Sequence, residues 1–409
     1  MTRPLWVAVL LVLLSGCAHA PAPAGPSPGH AVPLSFQPAV TTLHGCRPYL
    51  GVACFEPTLA ADPAGRLFST AENAPEFWVS VDGGATWASR PAPPMPTLAP
   101  APLHTGGDNT LQVDPQGRLW FTRLVYENEA GATEPIPVAP LGRDLAGVQA
   151  ARSDDGGDHW AVDHFFALQD PSPAVVTSAD RQWLGFGPGR VYLAYWDYEM
   201  STRHLLVSAD GGATFGAPRE VPGGFGGLPA VGSDGTLYLA SFQYSEDNKA
   251  HVAIAWSRDG SAWETDTVAD TEPGTLGLQA SIDGADVLHF AWRAKDGSLM
   301  AAAGRPHAWS APEALARNVL EPDPFVLAHD GVVDTMWFEG SGNGQDAVAV
   351  RDGPAPGARQ RLVLAHWDGA DPTSDFAWLA RLPDGRVAAT WTEPAAGVRV
   401  AVESPAPPA

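Results

Sequence analysis

Short apolar runs alternate with turn residues along most of this chain, and the alternation returns again and again. In Pro57-Thr-Leu-Ala-Ala-Asp-Pro-Ala-Gly-Arg-Leu-Phe-Ser-Thr70 one apolar run ends in a turn and a second follows. Asn109-Thr-Leu-Gln-Val-Asp-Pro-Gln-Gly-Arg-Leu-Trp-Phe-Thr122 has the same layout. Asp62-Pro-Ala-Gly65 and Asp114-Pro-Gln-Gly117 place Pro and Gly where a reverse turn needs their backbone angles. A third apolar run then enters a second turn, and a fourth leaves it. Further copies run through Trp183 to Tyr195, Leu228 to Ser241, Leu278 to Trp292, Phe325 to Leu364, and Phe376 to Val402. Each copy predicts four short strands. With 40 Pro and 43 Gly in the chain, helical periodicity is interrupted nearly everywhere.

The second turn carries a recurring phrase. It reads Ser80-Val-Asp-Gly-Gly-Ala-Thr-Trp87, Ser153-Asp-Asp-Gly-Gly-Asp-His-Trp160, Ser208-Ala-Asp-Gly-Gly-Ala-Thr-Phe215 and, shortened, Ser257-Arg-Asp-Gly-Ser-Ala-Trp263. Trp309 stands where a fifth aromatic of the series belongs, and Asp352-Gly353 is a remnant of a sixth phrase. Repeats of this length mean a solenoid, an array or a propeller. The phrase resembles the Asp-box, or BNR repeat, of sialidase-like β-propellers, and the resemblance covers most of residues 43–404. It implies an all-β fold: one propeller over 33–404, with seven four-stranded blades expected and six as the alternative. The last copy lacks a fourth strand, and Pro33 to Thr42 has strand composition, so an N-terminal strand is expected to close the ring. The resemblance also implies that Asp82, Trp87, Asp155, Trp160, Asp210, Phe215, Asp259 and Trp263 are structural, on the face away from any ligand. Asp154-Asp155-Gly-Gly-Asp158 lacks the spacing and closing Glu of a calcium loop, so no metal or other cofactor is indicated.

The first 32 residues read differently. Arg3 and the apolar stretch Leu5 to Leu14 form a targeting segment too short to span a bilayer comfortably. Leu14-Ser15-Gly16-Cys17 resembles a bacterial lipobox, which implies removal of residues 1–16 and acylation of Cys17. An ordinary secretory peptide with an incidental cysteine is the alternative. Residues 17–32 are an Ala/Pro-rich spacer, and 405–409 a short tail. Localisation in a bacterial cell envelope follows from this reading, with a lipid anchor in the outer membrane. Export makes a Cys46–Cys54 disulfide plausible, two reduced thiols being the alternative.

Charge narrows the partners. Acidic residues number 46 against 24 basic ones, a net −22, with no basic run. That excludes nucleic acid and adsorption to an anionic lipid surface. Carboxylates precede most of the predicted innermost strands: Glu56, Asp108, Asp180, Asp323 and Asp375, with Glu321 beside them. Together with His104, Arg181, Trp183 and Gln279 they are the candidate ligand site, an acidic ring at one mouth of the channel. Such a ring suits a glycan, a peptide or a cation, although carboxylates before strands also serve as plain turn caps. A glycoside hydrolase of the sialidase type is the alternative function, and an envelope scaffold docking through Glu127 to Leu145 is another. Sialidases resemble one another in a Phe-Arg-Ile-Pro motif, two further arginines and a tyrosine nucleophile. No such motif occurs here, and Arg47, Arg181, Arg293 with Tyr195 or Tyr198 is only a free assembly. His-Glu-x-x-His and Walker motifs are also missing.

The anchor reading is checked by expressing the chain in a bacterium supplied with labelled palmitate. Label is expected in the wild type and not in Cys17→Ser, with the variant released from the membrane fraction.

Overall fold

A computed structural model describes residues 34–405 except 42–47, 50–51, 54–55, 73, 75, 98–102, 128–144, 168–178, 198–200, 245–248, 274–275, 321–322, 354–357, 370–376 and 394–395. Cys17, Cys46, Cys54 and the insertion 128–144 therefore lie outside the described residues. After a two-stranded ladder of Pro48–Tyr49 with Val52–Ala53, seven larger antiparallel sheets follow one another, the first six laid down as consecutive neighbouring strands. Their innermost strands are Thr58–Ala61, Leu103–Val113, Asp180–Gly187, Ala230–Val231, Leu276–Ile282, Phe325–His329 and Trp378–Arg381, in blades 1 to 7. The molecule is thus a seven-bladed β-propeller, and the six-blade alternative falls away because blades 6 and 7 are separate sheets.

Blade 7 takes its outermost strand from the N-terminus. Val40 pairs with Val400 and Thr41 with Arg399. Before that ladder, Gln37 donates its amide to the Val402 carbonyl at 2.8 Å, and Ser404 to the Ser35 carbonyl at 2.8 Å. The last sheet is thereby left without the free edge that a linear array would expose.

Antiparallel order gives the ring two faces. One, the entry face, is where the chain enters each innermost strand. The other, the turn face, carries both turns of the repeat. In the second turn Ser80 and Thr86 bind the Asp82 carboxylate, with the Thr86 amide at 2.9 Å, and the Ser80 hydroxyl accepts the Gly84 amide at 2.8 Å. Ser153/Asp155, Ser208/Asp210 and Ser257/Asp259 build the same turn. The hydroxyl and amide of Thr86 hold the Asp82 carboxyl down to about 2. The corresponding bonds from His159, Thr214 and Ser261 hold Asp155, Asp210 and Asp259 below the usual range. These carboxylates are committed to their own turns. Asp158 is paired with Arg90.

The glycines of these turns meet a second demand, beyond backbone freedom. A Cβ at Gly157 of blade 2 would lie 2.1 Å from Phe77 of blade 1, and one at Gly212 of blade 3 would lie 2.2 Å from Trp120 of blade 2. Each turn is pressed against the preceding blade. The turn aromatic follows it inward: Trp160 meets Phe77 and Phe121 edge-on at 5.9 and 6.1 Å. Arginines tie neighbouring blades across the same face, Arg66 to the Asp155 carbonyl and Arg152 to the Gly211 carbonyl, both at 3.1 Å.

Gly212 (φ +87°) and Gly65 (φ +83°) are equally left-handed, but nothing lies within 4 Å of a Cβ at Gly65. Gly65→Ala is therefore expected to cost about 1–2 kcal/mol, the backbone term alone. Gly212→Ala should add roughly 1–3 kcal/mol of overpacking. Urea unfolding of the two variants separates the contributions.

Candidate functional site

The entry-face end of the channel is built from equivalent positions on different blades. Counted back by one fixed offset from the first turn of each blade, the residues opening the innermost strands are Glu56, Asp108, Arg181, Gly226, Gly277 and Asp323 in blades 1 to 6. The carboxylate read for blade 3, Asp180, is one residue early: Arg181 holds the equivalent place. Glu56, Asp108 and Arg181 all adopt left-handed backbone, with φ of 51°, 49° and 55°. In non-glycine residues this conformation costs about 1–3 kcal/mol each and is kept only where the surroundings enforce it. A glycine, Gly277 at φ 60°, serves in blade 5.

These residues converge on Arg181. Its guanidinium reaches across the channel from blade 3 to blade 6 and donates to Asp323 Oδ2 at 2.5 Å. Its backbone amide donates to Asp108 Oδ2 at 2.8 Å, and its Nε lies 3.9 Å from Asp180 Oδ1. Trp183 and Phe225 flank the guanidinium, their ring centroids 5.3 and 5.0 Å from Cζ. Trp183 is also set edge-on to Trp378 of blade 7 at 6.4 Å, and Trp378 packs on Phe325 at 4.6 Å. The channel is thus closed at this level by one cross-ring ion pair and a layer of aromatic rings.

Burial disfavours the charged form of Arg181, but Asp323, Asp180, Glu56 and Asp108 outweigh it and hold the guanidinium protonated far above any working pH. Burial also works against ionisation of Asp108, yet hydrogen bonds from the Glu56 and Asp180 carboxyl groups, with the charge and amide of Arg181, hold it below its usual value. A hydrogen bond between two carboxyl groups contains one shared proton, so the cluster carries less charge than its formal count suggests. Glu56, Asp108, Arg181 and Asp323 are nearly buried, whereas the Asp180 side chain keeps 30% of its surface exposed. Asp180 is the member best placed to meet a ligand.

Other candidates lie elsewhere or outside the described residues. His104 pairs with Tyr126 in the innermost ladder of blade 2, its side chain lying outside the described residues. Asp375, Glu321, Arg47 and Tyr198 also lie outside them. Gln279 accepts the Leu228 amide at 3.1 Å and joins blades 4 and 5. Arg293 donates to the Val319 carbonyl at 2.8 Å. Tyr195 is buried and stacked on His204 at 5.1 Å, and burial followed by Asp197 pushes its hydroxyl well above the ordinary tyrosine value. Two further residues join the cluster: Phe225 from the connection between blades 3 and 4, and Trp378 from blade 7 across the closed ring. Among the described residues no group of His, Cys, Asp and Glu is arranged to hold a metal ion.

Beyond the aromatic layer the channel opens to the turn face as a cavity of about 750 Å3, with walls such as Leu184, Ala230, Ala280 and Val326.

Removing the guanidinium would strand the carboxylates. Arg181→Met is expected to cost about 3–5 kcal/mol in urea unfolding. Asp108, depressed in the fold, contributes stability that is complete above its unfolded value near 3.9 and is lost as pH falls through its lower folded value. The urea midpoint should therefore fall below about pH 4, and less steeply in Asp108→Asn.

No protein-family model matches the sequence, and no curated protein does. Solved structures match at the level of the fold. A Hadza microbial sialidase is 16% identical with a TM-score of 0.53, over 84% of this chain and 74% of that one. A Dyadobacter fermentans protein of unknown function is 14% identical with a TM-score of 0.52, over 91% and 99%. A Penicillium chrysogenum α-L-arabinanase complexed with arabinobiose is 12% identical with a TM-score of 0.50, over 90% and 98%. At such identities the likeness shows a common fold, the β-propeller, in which a sialidase and an arabinanase are built as well.

Proposed function

We propose that the protein is a lipid-anchored Asp-box propeller of a bacterial cell envelope that binds a glycan at its entry-face mouth. The observation that carries the reading is the position of Arg181. The carboxylates that looked ready for a cation already enclose one, its guanidinium. Within that enclosure the Asp180 side chain keeps 30% of its surface exposed at the mouth, so a carboxylate faces any ligand that enters there. Sugar hydroxyl groups suit such a carboxylate acceptor. The fold shared with a sialidase and an arabinanase supports a glycan as ligand. The buried Tyr195 and the scattered arginines favour binding over sialidase chemistry. The anchor fits the same picture: the closing strand starts at the turn face, beside Glu403, so a tether from Cys17 would join the face opposite the cluster.

The test uses residues 33–409, a compact unit, on a glycan array, with fluorogenic glycosides alongside. Saturable binding of a subset of glycans is expected, weakened at least tenfold in Asp180→Asn, without hydrolysis. Turnover that disappears in that variant would replace the reading with a glycosidase, and a folded protein that binds no glycan would end it.

A further inference from the structure

The interface between blades 5 and 6 breaks the packing rule of the interfaces before it. In the preceding blades the aromatic of the second turn is driven between two sheets. Trp160 meets Phe77 and Phe121, Trp263 packs with Leu205 and Leu239, and Trp309 meets Phe290 edge-on at 5.5 Å. Strand register shows what stands in these places in the exception. Val333 pairs with Asp352 as Leu119 pairs with Ser153, so Thr335 takes the place of Phe121; beyond the turn Arg359 precedes Gln360, the partner of Arg351, as Trp87 precedes Ala88, the partner of Val79, so an arginine takes the place of the turn aromatic. Leu288 pairs with Gly304 as Leu67 pairs with Ser80, so Ala301 takes the place of Phe77. A threonine, an arginine and a methyl group thus stand where three rings meet between blades 1 and 2.

The missing ring volume is an open cleft of about 800 Å3 on the turn face. Its walls include Phe290, Ala302, Leu315, Val326 and Val333, with His289 and Ser310 at the edge. Arg359 spans the rim, donating to Asp352 Oδ1 at 2.6 Å and to Glu313 Oε1 at 2.8 Å. Two carboxylates share one guanidinium there, and both keep exposed surface. The rim is therefore net negative, on a chain of net charge −22.

We infer that this cleft binds a small aromatic ligand carrying a cationic group, an arylalkylamine. The ring occupies the volume that an indole or phenyl ring fills at the neighbouring interfaces, and the ammonium meets Glu313 and Asp352. A volume of this size is within the ordinary range of small-molecule sites. The inference is independent of the glycan reading, which concerns the opposite face.

Calorimetric titration of the full-length protein with tryptamine, indole and indole-3-acetate tests it. One saturable tryptamine site is expected, at least fivefold tighter than indole, with no binding of the acetate. Ala301→Phe restores a ring to the cleft; it should remove tryptamine binding and raise Tm. Combining Glu313→Gln with Asp352→Asn, at partly exposed positions, should reduce tryptamine to the affinity of indole. The second variant decides the matter if the first does not fold. Absent tryptamine binding, or binding that survives both changes, overturns the proposal, and so does binding lost in Asp180→Asn, which would place the ligand on the other face.

Discussion

A sheet standing radially in a ring has two faces to bury, and it can bury them only against its neighbours. Most of what this chain spends its residues on follows from that constraint. The turn glycines are small because the preceding blade lies against them: at Gly157 and Gly212 a Cβ would fall within 2.2 Å of a buried ring. The turn aspartates hold those glycines in place, which is why their carboxylates are saturated by their own loops. The turn aromatics fill the wedge that opens between diverging sheets. The N-terminal strand belongs to the same logic, since without it the last blade would be short of a strand and the ring would not close.

Near the axis the constraint changes. The innermost strands converge, and residues from blades distant in sequence come within contact. Arg181 and Asp323 stand on opposite sides of the channel, yet they form a direct ion pair across it. A buried pair of this kind gains stability only when its remaining hydrogen-bonding capacity is met, and a similar apolar filling would often be as stable. Left-handed backbone at Glu56, Asp108 and Arg181 adds a further cost in the same place. An axis built only for stability would not need either feature, and their coincidence at one mouth is the physical reason to look for function there.

How far the sequence discloses this depends on whether a feature is local. The strands, the seven blades and the closing strand are legible because each rests on a repeated turn with Pro, Gly and Asp at fixed offsets. Glu56, Asp108 and Asp323 could be placed at the mouth for the same reason. Arg181 could not be given its role, because Asp180 offers the expected carboxylate one residue earlier and a one-residue slip reverses a strand's faces. Trp378 was invisible as a neighbour of this cluster, since only ring closure brings blades 3 and 7 together, and Phe225 lies on the connection between blades 3 and 4, outside the repeated strands. Asp352-Gly353 read as a worn repeat; that the wear leaves a cavity requires knowing that Ala301 and Thr335 face the same gap.

Blade 6 belongs to both departures from the rule. Its innermost strand, Phe325–His329, starts just after Asp323, the partner of Arg181, and Val326 on that strand lines the cleft. The blade is nevertheless well held. Val319, Val326, Trp337 and Val348 form a buried cluster with Ala291 and Leu299 of blade 5, and the Leu320 and Gly340 amides bond across to the Phe338 and Asn318 carbonyls at 2.9 Å. The two sheets are therefore in firm contact below the gap and part only at the turn face. A gap closed at its base by packed side chains is a preformed site rather than a failing interface. Filling it costs a ligand little reorganisation, and for small ligands it is that cost, more than buried area, that limits affinity.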